Sequence, residues 1–282
     1  MKPISLFLAL LILAACESSK SSRLIYSTSS DKALFEFRKG WVQIMDEGRY
    51  SAAEDSYRMA VEHDPHFLIG KSVLARLTLD LNERLAFEKE LYAKRKEVKG
   101  DERLLLDVYY ALVRYTNLRD QNSALTKEAL DHALLVAEKN LRQIVHKYPE
   151  EVYLKAEYIE ILNSLYGPTR ALDSLHSITT NYQKENPFLL GVSASMYADL
   201  KEFDIAIQKS NQLKTILNDS TIPKSYAVLA AVNFKMGNLQ IARINVNRAF
   251  ALDSRNLDAS RLKTKIDTAF KAQNKANSDD IK

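Results

Sequence analysis

Residues 37–65 read FRKGWVQIMDEGRYSAAEDSYRMAVEHDP, and this stretch decides the fold. Apolar residues recur at three- and four-residue spacing on both sides of Gly48, which is typical of two amphipathic helices joined by a turn. Gly48 can adopt the left-handed conformation that ends a helix, and Pro65 stands where the second helix must stop. The stretch therefore predicts an antiparallel helix pair.

The small and aromatic residues of this pair have a spacing that resembles the tetratricopeptide repeat. The family pattern has a small residue at its eighth position, a glycine before the turn, and then aromatic, alanine and proline positions. Trp41 stands at the eighth position, so the resemblance implies an adjusted helix contact there. The matching residues are Gly48, Tyr50, Ala53, Tyr57, Ala60 and Pro65.

Similar units recur along the chain, so the resemblance covers roughly residues 34–254. A good match spans Tyr226 to Asp253, and a weaker one begins at Ala194. Between Pro65 and Pro149 the pattern is degenerate, and we interpret it as two lengthened helix pairs, at 66–99 and 101–149. Tyr109, Tyr110 and Tyr115 in this middle part are interpreted mainly as packing residues.

The fold that follows is all-α: an α-solenoid of about six antiparallel helix pairs over residues 32–273, ended by a capping helix. No convincing run of strict alternation occurs, so no strand is predicted. The capping helix carries an apolar stripe that includes Leu262, Ile266 and Phe270. Residues 274–282 contain little apolar surface and are predicted to form a disordered tail.

Residues 1–15 are predicted to be a signal peptide. Lys2 precedes an apolar run from Ile4 to Ala15, which is shorter than the roughly 20 residues of a membrane span. The segment LAAC at residues 13–16 resembles the lipobox of bacterial lipoproteins. The resemblance implies a diacylglyceryl group on Cys16, cleavage before it and acylation of the new amino terminus. The alternative is an ordinary secretory signal with an incidental cysteine.

The segment after the cleavage site is rich in serine and has no helical periodicity, so residues 16–31 are predicted to form a flexible tether. As a random coil, residues 17–30 would span roughly 20 Å. Glu17 is not the aspartate that retains many lipoproteins in the inner membrane. The resemblance therefore favours the outer membrane, facing the periplasm.

Composition and the set of motifs argue against several classes of function. The formal charge is +4, and it falls by one to +3 when Lys2 is removed with the signal peptide, which argues against a nucleic-acid partner. Cys16 is the only cysteine, so no internal disulfide can form. No glycine-rich phosphate loop or known catalytic motif occurs, and we predict neither an enzyme nor a cofactor. His63 and His66 are interpreted as turn residues, not as metal ligands.

Tetratricopeptide arrays usually bind a peptide or a partner helix in a concave groove that their first helices line. Val42 replaces the asparagine of the family's carboxylate clamp, so that clamp is not expected. The alternative is that the mapped positions are ordinary packing or solvated residues. The resemblance maps the groove onto Arg38, Val42, Met45 and Asp46 in the first pair, Tyr153, Ala156 and Glu160 in the fourth, Ser195 and Asp199 in the fifth, and Lys224, Ala231, Phe234 and Lys235 in the last.

The sequence thus predicts an outer-membrane lipoprotein that serves as a non-enzymatic adaptor or scaffold for a protein or peptide partner in the cell envelope. Two alternatives stay open. One is a cell-wall enzyme with an acidic site at Glu157 and Glu160, which share a helix face. The other is a carrier of a small lipid or glycan in a helical cavity.

Overall fold

The computed structural model describes residues 21–279, with side chains up to residue 273. These residues form 13 α-helices and no β-strand, and the helices follow one another as six pairs and a last single helix. The predicted all-α solenoid of six pairs with a capping helix is therefore confirmed. The helices are α1 (Asp31–Trp41), α2 (Tyr50–His63), α3 (Leu68–Leu77), α4 (Leu81–Lys94), α5 (Gly100–Asp120), α6 (Thr126–Lys147), α7 (Val152–Tyr166), α8 (Pro168–Ile178), α9 (Pro187–Asp199), α10 (Phe203–Leu217), α11 (Pro223–Lys235), α12 (Leu239–Leu252) and α13 (Leu257–Asp279).

The divergent middle contains the two expected pairs. The first of them, α3 and α4, is short, with 10 and 14 residues, so the prediction that it is lengthened is wrong. The second is long, with 21 residues in α5 and 22 in α6. Helix α5 carries Tyr109, which is fully buried in the core.

In the first pair, Trp41 stands at the position where the family pattern has a small residue, and the helices still pack closely. The small residue that meets α2 is Gly40, one position earlier, and a β-carbon there would lie 2.5 Å from Cε1 of Tyr57. A π-helical turn, Val42–Asp46, follows Trp41 and adds one residue to the helical turn. This turn restores the register, so that Gly48, with φ of 71°, still ends the helix and Ala53 is fully buried.

Replacing Gly40 with alanine is expected to lower the free energy of unfolding by about 1–3 kcal/mol, because the added methyl group overlaps the Tyr57 ring. The roughly 1 kcal/mol that alanine gains in helix propensity offsets part of this loss. Urea denaturation measures the difference, and Lys32→Ala on the exposed side of α1 is the control. A Gly40→Ala protein as stable as the unsubstituted one would contradict the packing.

The segment before α1 packs against the helices, so the prediction of a flexible tether is wrong for residues 21–30. Tyr26 is buried, with its ring 5.1 Å from that of Phe37 and 6.2 Å from that of Phe67 between centroids. The backbone N–H of Leu24 donates to Glu151 Oε1 at 2.9 Å, and that of Ser27 donates to the Glu102 carboxylate. Buried apolar contacts and hydrogen bonds therefore fix this segment along the starts of α5 and α7.

The two ends of the solenoid touch. The carbonyl of Gly48, in the α1–α2 turn, accepts a hydrogen bond from Asn256 Nδ2 at 2.8 Å, and the carbonyl of Glu47 accepts one from the backbone N–H of Lys224 at 3.0 Å. Ser51, at the start of α2, donates its N–H and hydroxyl to Asp253. The first pair thus lies against the last pair and the start of α13, a contact that an open superhelix would not make.

The last helix caps the array, since Ala259, Leu262 and Ile266 pack against α11 and α12. It continues to Asp279, six residues into the stretch predicted as a tail, and it contains no glycine or proline there. Residues 280–282, the predicted signal peptide and Cys16 lie outside the described residues. Within residues 21–279, no helix is both long and apolar enough to cross a membrane.

Candidate functional site

The main candidate site is a cleft of about 800 Å³ along α1, which we call the α1 cleft. Four residues of the predicted groove line it: Arg38, Val42, Asp46 and Tyr153. The other walls come from the N-terminal segment, from the start of α7 and from the connection between α8 and α9. They include Arg23, Tyr26, Trp41, Glu150, Glu151, Val152, Thr180, Tyr182, Gln183, Glu185, Asn186, Pro187 and Ile216.

The α1 cleft continues along the outside of α1. A second depression of about 690 Å³ shares Arg38 and Val42 with it and extends to Asp31, Phe35 and Arg49. Phe35 and Val42 are among the exposed large apolar side chains of the described residues. An apolar strip with charged borders therefore runs the length of α1.

The floor of the cleft is fixed by Asp46, which is 8% exposed. Its carboxylate accepts hydrogen bonds from Tyr153 Oη at 2.5 Å, from Asn186 Nδ2 at 2.9 Å and from the N–H of Phe188 at 3.3 Å. Burial raises the pKa of Asp46, although these hydrogen bonds and the Lys224 charge oppose the rise. Asp46 therefore ties α1 to α7 and α9, and both of its carboxylate oxygens already accept hydrogen bonds within the protein.

The remaining predicted groove residues do not form one surface. Lys235 forms an ion pair with Asp199 at 2.7 Å and donates to the Ser195 carbonyl at 2.9 Å, which joins α11 to α9. Met45 is buried in the core. These side chains contact each other or the core, and none of them lines the α1 cleft. Ala156 is also buried, and Ala231 and Phe234 are partly buried.

Lys224 and Glu160 are close enough for their charges to affect each other. The Lys224 side chain is buried with Nζ 4.2 Å from the centroid of the Phe188 ring, and burial lowers its pKa. Glu160 keeps solvent contact although protein atoms surround it. Burial, followed by the negative charge of Asp258, raises the pKa of Glu160 to about 7.

Glu157, the other residue of the proposed acid pair, forms an ion pair with Arg76 at 2.8 Å. The Arg76 guanidinium also lies 4.8 Å from the centroid of the Tyr109 ring. This ion pair joins α3 to α7, two helices that are far apart in the order of repeats, and it gives Glu157 a structural role.

The described residues contain no group of three or more histidine, cysteine or acidic side chains with metal-binding geometry. A smaller pocket of about 300 Å³ lies between α5 and α6, lined by Tyr110, Leu118 and Leu125 among others. If the protein were a carrier of a small lipid or glycan, this pocket would be the candidate ligand site in the middle of the chain.

Sequence reasoning missed the N-terminal wall of the α1 cleft and the α8–α9 connection. A signal for the first was present, since Leu24, Ile25 and Tyr26 are three consecutive apolar residues in a serine-rich stretch. For the second, the buried Lys155 donates from Nζ to Gln183 Oε1 at 2.8 Å, and Gln183 Nε2 donates to the Pro149 carbonyl. No sequence pattern marks that contact.

In comparisons with known proteins, no family model matches this chain and no curated protein is significantly similar to it. The resemblance to tetratricopeptide repeats therefore stays a prediction from the quoted residues and their spacing.

Proposed function

We propose that this protein is a lipid-anchored adaptor of the bacterial cell envelope that holds a protein or peptide partner in the α1 cleft. The observation that carries the proposal is the composition of the cleft wall. Two predicted groove residues, Arg38 and Val42, lie there beside Arg23, which belongs to the segment leading from Cys16. Only seven positions along the chain therefore separate the proposed anchor from the cleft wall.

The lining of the cleft favours a peptide over a small apolar ligand. Arg23, Arg38, Glu150 and Glu185 all line the cleft, and the exposed Val42 lies among them. Such a mixture suits a segment that presents an apolar side chain flanked by charges of both signs. The weak net charge gives no field that would attract nucleic acid.

Site-specific photo-cross-linking in living cells tests the adaptor proposal. A photo-reactive amino acid is placed at Val42 or Arg38 in the cleft, and at Ile244 on α12 as an exposed control. We expect discrete cross-linked products at the two cleft positions and none of the same size at Ile244. The same products at all three positions, or none at any of them, would count against a partner in this cleft.

The proposed location is the outer membrane, facing the periplasm, because Glu17 follows the lipidated cysteine. Cys16→Ala removes the thioether site. Membrane fractionation is expected to find the unsubstituted protein in the outer-membrane fraction and Cys16→Ala outside it. A Cys16→Ala protein still firmly in the outer membrane would contradict the anchor.

Glu160→Gln examines the enzyme alternative and carries a prediction of its own. The folded pKa of about 7 lies above the ordinary value of 4.5, so folding favours the protonated carboxyl. The stabilisation of the folded state by the protonated Glu160 carboxyl is complete below the ordinary pKa of 4.5, and it is lost as the pH rises through 7. Glu160→Gln should match the unsubstituted protein in acid and exceed its stability at about pH 8, by less than about 1 kcal/mol because solvent reaches the group.

Denaturation midpoints across this pH range check the expectation, and a constant difference at all pH values would contradict it. A cell-wall hydrolytic activity that disappears in folded Glu160→Gln would favour the enzyme over the adaptor.

A further inference from the structure

Within the described residues, the amino-terminal segment first contacts the helical array at the start of α7. The N–H of Glu150 donates to the carbonyl of Ser22 at 3.2 Å, and two residues later the N–H of Leu24 donates to Glu151. Burial of Leu24 and Tyr26 fixes the segment beyond this point. The amino-terminal segment is therefore attached to the helical array near Glu150, which we call the entry point.

The link from Cys16 to this point is short. Five residue steps separate Cys16 from Ser21, and even fully extended they span at most about 18 Å. A compact chain of this length has a radius of gyration of about 18 Å and a diameter above roughly 40 Å. With a lipid on Cys16, the surface around Ser21 therefore has to be on the side that faces the bilayer.

That surface presents apolar side chains to solvent. Among the described residues, the two most exposed large apolar side chains are those of Tyr182, at 86%, and Ile25, at 74%. Both flank the entry point: Ile25 follows the bound Leu24, and the neighbour of Tyr182, Gln183, donates to the carbonyl of Pro149. Tyrosine is enriched at membrane interfaces, where its ring meets the acyl boundary and its hydroxyl stays in water.

The charges around the entry point balance. Arg23 and Lys184 carry positive charge, and Glu150 and Glu185 carry negative charge. The surface therefore has no excess of basic residues for attraction to anionic headgroups. Contact with lipid would depend on apolar burial, which salt does not screen.

We propose that Arg23, Ile25, Glu150 and Tyr182 form a membrane-contact patch, which we call the entry patch, with the Ile25 and Tyr182 side chains in the headgroup region of the bilayer. This inference rests on the lipid anchor of the proposed function. Because Arg23, Glu150 and Tyr182 also line the α1 cleft, the cleft opens beside the lipid surface. A partner held in it is then engaged at the membrane.

Single introduced cysteines test the entry patch, because Cys16 is the only natural cysteine and the lipid occupies its thiol. Ile25→Cys and Tyr182→Cys report on the patch, and Leu135→Cys on α6 and Ile244→Cys on α12, 62% and 60% exposed, serve as matched controls. Each lipidated protein is labelled with an environment-sensitive fluorophore. It is then placed in phosphatidylethanolamine–phosphatidylglycerol vesicles, with or without lipids that carry a quencher near the headgroup.

We expect quenching at positions 25 and 182 to exceed that at the controls several-fold and to persist in high salt. Equal quenching at all four positions, or stronger quenching at the controls, would overturn the entry patch. Vesicle flotation of the unsubstituted protein examines the anchor separately. Protein that floats without the quenching difference refutes the patch alone, whereas protein that does not float refutes the anchor and the patch together.

Discussion

Tyr26→Ala is expected to lower the free energy of unfolding by about 3–5 kcal/mol, the cost of removing a large buried aromatic side chain. The Tyr26 ring is 7% exposed and packs edge-on against Phe37 and Phe67. It also lies 6.5 Å from the Trp41 ring between centroids, so alanine leaves a cavity where α1 meets α3. The N-terminal segment loses its main anchor with the ring.

Two matched variants separate this packing from other effects. The buried Tyr26 hydroxyl has no hydrogen-bond partner among the described residues, so Tyr26→Phe should be neutral or slightly stabilising. Ile25→Ala, next in the chain but exposed, should change stability by less than about 0.5 kcal/mol.

Urea denaturation gives the free energies. Hydrogen exchange at the Leu24 and Ser27 amides, which donate to Glu151 and Glu102, should accelerate in Tyr26→Ala. Unchanged stability and exchange would restore the free tether that the sequence alone predicts.

Asp46→Ala is expected to cost about 2–4 kcal/mol, because it leaves three donors without their acceptor. These are the Tyr153 hydroxyl, the Asn186 amide and the backbone N–H of Phe188. The carboxylate joins the first helix pair to the fourth and fifth, so its loss also loosens the floor of the α1 cleft. Asp46→Asn keeps one acceptor oxygen and should cost less than Asp46→Ala.

The control is Asp199→Ala, since both carboxylates were predicted to line the groove. Asp199 is exposed and its ion pair with Lys235 is near the surface, so its removal should cost less than about 1 kcal/mol. Thermal and urea denaturation compare the three variants. Equal and small losses for Asp46→Ala and Asp199→Ala would show that Asp46 is free to bind a partner.

The fold was predictable because its determinants are local. Gly48 and Ala53 define a helix pair within 29 residues, and the same spacing identifies the last pair around Gly237, whose φ is 84°. Gly40 shows the limit of this reasoning. The π-helical turn that lets it replace the expected small residue at Trp41 has no sequence signal of its own.

The site was less predictable because it depends on contacts between distant parts of the chain. The contact from Asn256 to Gly48 joins residues 208 positions apart, and that from Asn186 to Asp46 joins residues 140 apart. Mapping by family position assumes an open superhelix. It located Arg38 and Val42 in the cleft, but it also included Met45, which the core buries.

Mass spectrometry of the amino-terminal peptide of the protein purified from bacterial membranes tests the central claim most directly. A lipid-anchored adaptor has to begin at Cys16, with a diacylglyceryl group on the sulfur and an acylated amino terminus. Both proposals depend on that anchor. A mature chain that begins at another residue, or an unmodified Cys16, would contradict it.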